Sequence, residues 1–301
     1  MSGRLDAFLT RAEALLGRLE PLLPPAAVAV DWTATLACRW RRTALQGWPE
    51  PVRVLNCPPW ERLRHIDAQK AALDRNTRQF VQGLPANNAL LTGSRGCGKS
   101  SLVKALLPRY ARRGLRLIEV DKADLVDLPH IVERLPAAPW RYLLFTDDLS
   151  FEAGEPAYKP LKAALDGSVA GLPDNVLIYA TSNRRHLMPE YLAENAAARH
   201  LGGEVRPADG TEEKVSLSDR FGLLLTFYPF DQDAYLDIVA GWVEALGGRT
   251  TPAMREAALQ WAIQRGGRSG RTARQFAVDW VGRQALQRSR SNGHGDGHSR
   301  A

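Results

Sequence analysis

The sequence predicts an α/β fold: a five-stranded parallel sheet sandwiched between helices, with a small helical lid after it. Three observations carry this expectation. Apolar runs of four to six residues alternate with amphipathic helical patterns through the middle of the chain, the arrangement of a parallel sheet covered on both faces. The glycine-rich stretch Gly93-Ser94-Arg95-Gly96-Cys97-Gly98-Lys99-Ser100 lies between the first of these runs and a helical pattern. It spells G-x-x-x-x-G-K-[ST] in the strand-to-helix context that the phosphate loop of a P-loop fold requires. From Asp231 onward the periodicity is helical, and no strand interrupts it.

The bulk composition sets bounds on this fold. With 301 residues, 45% hydrophobic and 24% charged, the chain can bury a sizeable core. No apolar run approaches the ~20 residues that span a bilayer, so no membrane partner is expected. Residues 1–20 are amphipathic and carry acids, unlike a secretory signal. Cys38, Cys57 and Cys97 are scattered and odd in number, which points to a reducing compartment and a cytoplasmic location. The net charge is +7, and seven arginines accompany one acid, Asp279, between Arg265 and Arg290. This permits contact with nucleic acid without establishing it.

Taken in order, residues 3–22 place Leu5, Phe8, Leu9, Ala12, Leu15, Leu16, Leu19 and Leu22 at helical spacing. They open an N-terminal helical extension over residues 1–50. In it, Trp32, Trp40 and Trp48 mix with Arg39-Trp40-Arg41-Arg42; packing onto the main domain is favoured there over stacking on bases. The α/β domain is expected over residues 51–230. Its strands are read at residues 88–92, 115–120, 141–146, 176–181 and 223–227, and its helices at residues 66–80, 99–112, 124–135 and 160–167. Residues 190–216 read as helix and then exposed loop. The lid follows over residues 231–288, and the Gly/Ser/His tail, residues 289–301, is expected to be disordered.

The chemistry follows from the strand ends. Backbone N–H groups of the phosphate loop and the N-terminus of the following helix form a nest for polyphosphate oxygens, assigning Gly93 through Ser101 to phosphate binding. Lys99 reaches the β- and γ-phosphates and the Ser100 hydroxyl ligates Mg²⁺. Asp147 ends a neighbouring strand and suits a metal anchor; Asp148 beside it suits a general base. Asn183, at the next strand end, suits an amide that positions water. Arg220, in Ser216-Leu217-Ser218-Asp219-Arg220-Phe221-Gly222, is badly placed for its own nucleotide and well placed for a neighbour's. Arg271 and Arg274, three apart at the start of a lid helix, share one face, and either can report on the phosphates.

As an ordered set these motifs resemble the AAA+ ATPases: residues 93–100 look like Walker A, Asp147 and Asp148 like Walker B, Asn183 like sensor 1, Arg220 like the arginine finger and Arg271 like sensor 2. Ile66-Asp67-Ala68-Gln69-Lys70 resembles the segment that cups adenine in that superfamily. The likeness is closer still to a bacterial group of uncharacterised ATP-binding proteins, gathered as a domain of unknown function within AAA+. Pro85-Ala86-Asn87-Asn88, Asp147-Asp148-Leu149-Ser150-Phe151, residues 179–187 and residues 216–222 carry it, and it spans about residues 50–285. The resemblance implies ATP and Mg²⁺ as cofactors and a homo-oligomeric ring or spiral in which Arg220 completes a neighbour's site. It also implies a macromolecular client, either protein or DNA. A nucleotide-gated binding module of the helicase-loader type is the alternative. One departure stands out: the superfamily usually has Glu where this chain has Asp148, one methylene shorter, which favours slow turnover.

Overall fold

The computed structural model describes residues 2–19, 29–43, 46–136, 139–151, 158–166, 172–183 and 217–293. The expected helix and loop at residues 190–216 and the tail beyond Gly293 lie outside them. Helix α1 spans Ser2–Leu19. The strands are β1 (Ala37–Arg42), β2 (Gly47–Pro51), β3 (Ala89–Gly93), β4 (Leu115–Glu119), β5 (Arg141–Thr146), β6 (Val176–Ser182) and β7 (Leu223–Phe227). Between them lie α2 (Asp67–Val81), α3 (Lys99–Tyr110), α4 (Leu128–Glu133) and α5 (Tyr158–Leu165). After the sheet come α6 (Gln232–Ala245), α7 (Pro252–Gln264) and α8 (Gly270–Gly293).

All seven strands form one sheet in the order β2-β1-β4-β5-β6-β3-β7. Every neighbouring pair is parallel except β1 and β2. The α/β class is as the sequence predicts, but the sheet has seven strands, not five. The two extra strands come from residues 37–51, which the sequence reading placed in the N-terminal helical extension. Their period is two: Cys38 and Trp40 point into the core at 0% and 2% exposure, while Arg39 and Arg41 pair with Glu119 and Glu50 at 2.9 and 2.7 Å. Three arginines in six residues hid a strand whose buried half is apolar.

Strand residues alternate between two apolar layers. Leu91, Leu117, Leu143, Phe145 and Tyr179 face α2 and α3, which supply Leu73, Phe80, Leu102 and Leu106. Leu90, Ile118, Tyr142, Leu144 and Ile178 face the other side, with Leu128 and Ile131 of α4, Leu161 of α5, and Trp32. Burial on both faces explains why these strands read as continuous apolar runs. The last three helices enclose their own core around Tyr235, Val239, Met254 and Phe276. All three begin on side-chain caps; in the first two, Asp231 accepts from the Ala234 N–H at 2.8 Å, and Thr251 from the Met254 N–H at 3.1 Å. Helix α8 runs to Gly293, so the first five residues of the expected disordered tail are helical. Among the described residues no helix is long and apolar enough to cross a membrane.

Candidate nucleotide-binding site

Strand β3 lies between β6 and β7, and the phosphate loop leaves its carboxyl end. Gly93 has φ +131°, and a Cβ there would stand 2.0 Å from the Phe227 carbonyl oxygen on β7. Gly98 has φ +97° and is the N-cap of α3, with no side-chain cap. The first intrahelical bond runs from the Leu102 N–H to the Gly98 carbonyl, at 2.8 Å. The N–H groups of Lys99, Ser100 and Ser101 therefore precede the helical ladder and, with the positive end of the helix, suit an anion. Cys97 is buried at 2% exposure, and burial pushes its thiol above the usual cysteine range.

The ends of β5 and β6 meet at this loop. The Lys99 ammonium donates to the carbonyls of Gly93 and Ser94 at 2.7 and 2.8 Å, and to Asn183 Oδ1 at 3.0 Å. Burial pulls its pKa below the ordinary lysine value, and the carboxylates of Asp147 and Asp148 work against that shift. Ser100 Oγ donates to Asp147 Oδ1 at 2.5 Å, and Thr181 Oγ1 donates to the same oxygen at 2.5 Å. Thr181 Oγ1 also accepts the Asp148 N–H at 3.0 Å, so one β6 hydroxyl fixes both strand-end acids. Asn183 Nδ2 donates to Asp148 Oδ1 at 2.5 Å, and an Arg95 guanidinium nitrogen lies 3.7 Å from Asp148 Oδ2. Asp148 itself has φ +55°, a left-handed backbone that costs a non-glycine residue about 1–2 kcal/mol and clusters at functional sites.

The lid closes the other side. Ser269 caps α8, its Oγ accepting the Thr272 N–H at 3.1 Å. The next residue, Gly270, donates its N–H to the Gly96 carbonyl at 2.9 Å. Gly96 has φ +76°, and a Cβ there would meet Ser269 Oγ at 2.7 Å. Arg62 and Arg274 stand over Trp242 of α6 at 5.1 and 5.4 Å. Asp237 of α6 holds Arg64 at 3.0 Å and His65 at 2.8 Å. Burial raises the Asp237 carboxyl, but His65 and Arg64 outweigh it and hold the group below the usual range. Loop, lid and the segment before α2 enclose a cavity of about 850 Å³, within the ~300–1,000 Å³ usual for ligand pockets.

Residues 33–284 match the family described as "Protein of unknown function (DUF815)". The chain belongs to that family. The loop, the strand-end acids and Asn183 meet in one cavity. No curated protein matches the sequence. Among solved structures, the chain is similar to the Thermotoga maritima RuvB Holliday junction branch migration motor, at 16% identity and TM-score 0.47, covering 74% of this chain and 64% of that one. It is also similar to the Aeropyrum pernix ORC1 protein in complex with DNA, at 17% identity and TM-score 0.47, covering 69% and 57%. A third is the FIGL-1 AAA domain in complex with ADP, at 18% identity and TM-score 0.48, covering 75% and 73%. The chain thus spans under two thirds of the RuvB and ORC1 chains.

In this DUF815 chain the cavity collects most of the residues predicted from sequence. Ile66, the loop from Arg95 to Ser101, Asp147, Asp148, Asn183, Arg271 and Arg274 all line it. Arg220 stands elsewhere. It precedes β7, whose Leu223 is level with Ala89 at the start of β3, whereas the phosphate loop follows Gly93, level with Phe227. Arg220 pairs with Asp166, a full strand length from its own phosphate loop. Thr181 and Trp242 escaped the sequence reading. Thr181 sits two residues before Asn183, on the strand end that was already in view; nothing local distinguishes Trp242 from a core tryptophan.

Proposed function

We propose that this protein binds ATP with Mg²⁺ and hydrolyses it slowly, as an AAA+ type ATPase coupled to a macromolecular partner. The observation that carries this reading is the contact of Ser100 and Thr181 with one oxygen of Asp147, both at 2.5 Å, beside Lys99. A hydroxyl and a carboxylate this close form the kind of hard-oxygen donor pair that would hold Mg²⁺. Held by Ser100 and Asp147, Mg²⁺ would neutralise charge on the phosphates.

The chain's own residues take the other roles. The loop N–H groups and Lys99 hold the phosphates, with Lys99 exchanging its carbonyl partners for phosphate oxygens. Asp148 takes the proton of the attacking water, and Asn183 orients both. Arg271 and Arg274 reach in from the lid. Arg220 serves the site of an adjacent subunit in a homo-oligomeric ring or spiral, consistent with its distance from its own loop and its pairing with Asp166. The test is ATPase activity measured against oligomeric state for wild type and Lys99→Ala. Turnover per chain should rise with protein concentration and vanish in Lys99→Ala; equal turnover in dilute monomer removes the shared site.

A second reading has one specific observation in its favour. Asp148 is short, and Asn183 and Arg95 hold its carboxylate at 2.5 and 3.7 Å. This suits a nucleotide-gated module that grips DNA or a protein when ATP is bound and resets slowly. DNA titrations with and without ATP over a salt series separate the two, because phosphate contacts give a steep salt dependence.

A further inference from the structure

Helix α1 takes no part in the site. Along the sequence, residues 4–10, 11–17 and 18–24 repeat one seven-residue pattern. Arg4, Arg11 and Arg18 occupy its first position and Asp6, Glu13 and Glu20 its third. Leu5, Ala12 and Leu19 take the second; Phe8, Leu15 and Leu22 the fifth; Leu9, Leu16 and Leu23 the sixth. Within Ser2–Leu19, at about 100° per residue, the three apolar positions form one stripe about 100° wide, of the kind that a helix buries. Among the stripe's described side chains, Phe8 and Leu9 are 68% and 50% exposed. Of the helix side chains described, only Ala12 is half-buried.

The flanks identify the occupant. Arginines border one edge of the stripe and acids the other. Two copies packed face to face in parallel bring the arginine edge of each against the acidic edge of its mate, as flanking charges set partner and direction in coiled coils. An antiparallel pair would set like against like on both edges. A lipid surface fits poorly, since interfacial helices carry basic residues across the polar face and one edge here is acidic. We infer that α1 is a self-association element, packing in parallel against α1 of a second copy of this chain. This contact is separate from any shared nucleotide site.

Sedimentation velocity of the full chain without nucleotide tests it. Wild type should self-associate, and Phe8→Asp with Leu9→Asp should weaken association at least about tenfold, the loss of ~1.4 kcal/mol or more, with the melting temperature unchanged. Arg220→Ala should leave this association intact. Oxidised Ser2→Cys chains should form an interchain disulfide that wild type, with its own three cysteines, does not. Four results would each overturn the inference. The wild-type chain could stay monomeric, or associate equally well with both aspartates in place. The double variant could lose thermal stability, which would put the stripe against the chain's own body, or Ser2→Cys could fail to crosslink.

Discussion

The backbone N–H of Gly270 donates to the carbonyl of Gly96 at 2.9 Å, so the first residue of the last lid helix is bonded directly to the phosphate loop. The C-terminal helical block and the loop are therefore joined through the main chain. A Cβ on Gly270 would stand 3.1 Å from that same carbonyl oxygen, tight enough that the loop would have to give by a few tenths of an ångström.

Gly96→Ala tests this coupling. The added methyl would lie 2.7 Å from Ser269 Oγ and 2.8 Å from its Cβ, on a residue at φ +76°. A left-handed alanine costs about 1–2 kcal/mol, and the lid must also shift. Affinity for a fluorescent ATP analogue should fall about tenfold or more while the circular dichroism spectrum is kept. Unchanged affinity would mean that the lid contact is incidental to binding.

Asp148→Asn should retain ATP binding and lose about 10²- to 10⁴-fold in turnover, the usual contribution of a general base. Asp148→Glu should be faster than wild type, because the extra methylene restores the reach that Asp lacks. Phosphate-release assays on the three proteins at one concentration decide it. A slower Glu variant would show that Asn183 and Arg95 are fitted to the shorter acid.

Arg220→Ala should bind ATP as wild type does and lose about 10³-fold or more in turnover, the lower bound for a finger supplied in trans. Mixing it with Lys99→Ala should restore activity, since each chain then supplies the half that the other lacks. No recovery on mixing would place Arg220 in a purely structural pair with Asp166.

Asp74 is the strongest stability prediction. It is 6% exposed and accepts from Arg78 and Arg109 at 2.6 Å each and from the Tyr110 hydroxyl at 2.8 Å, tying α2 to α3 behind the loop. Burial alone would raise its carboxyl, but Arg109, Tyr110 and Arg78 outweigh it and hold the pKa below the ordinary 3.8. The folded state therefore gains most from Asp74 above that value and loses the gain as pH falls through the lower folded pKa. Asp74→Ala should cost about 3 kcal/mol in urea unfolding near neutral pH, where breaking a buried ion pair leaves charges unpaired. The gap from wild type should narrow in acid below 3.8. A pH-independent gap would mean that packing, not charge, is lost.

The sheet and the loop were legible because their signals are local. Residues 93–100 demand a turn by their glycines, and β3 to β7 are apolar on both faces. The β1–β2 pair was not legible, because arginines whose partners, Glu119 and Asp127, lie about 80 residues away mask the alternation of Cys38 and Trp40. Asp147, Asp148 and Asn183 could be ranked from strand ends alone. Thr181 could not, since its role is set by the register that places β6 beside β5. The place of Arg274 over Trp242 depends on packing that no spacing rule reveals.

The outer strand has one more consequence. Val52 donates its N–H to the Ala37 carbonyl, so the even-numbered residues just before it turn their amides towards β1 and the odd-numbered ones turn theirs to the open side. Those are Gly47, Pro49 and Pro51, and two of the three have no amide hydrogen to offer. The rim can accept hydrogen bonds but can scarcely donate them. A stray strand from another polypeptide finds no ladder to climb there, and the sheet stops growing at its own border.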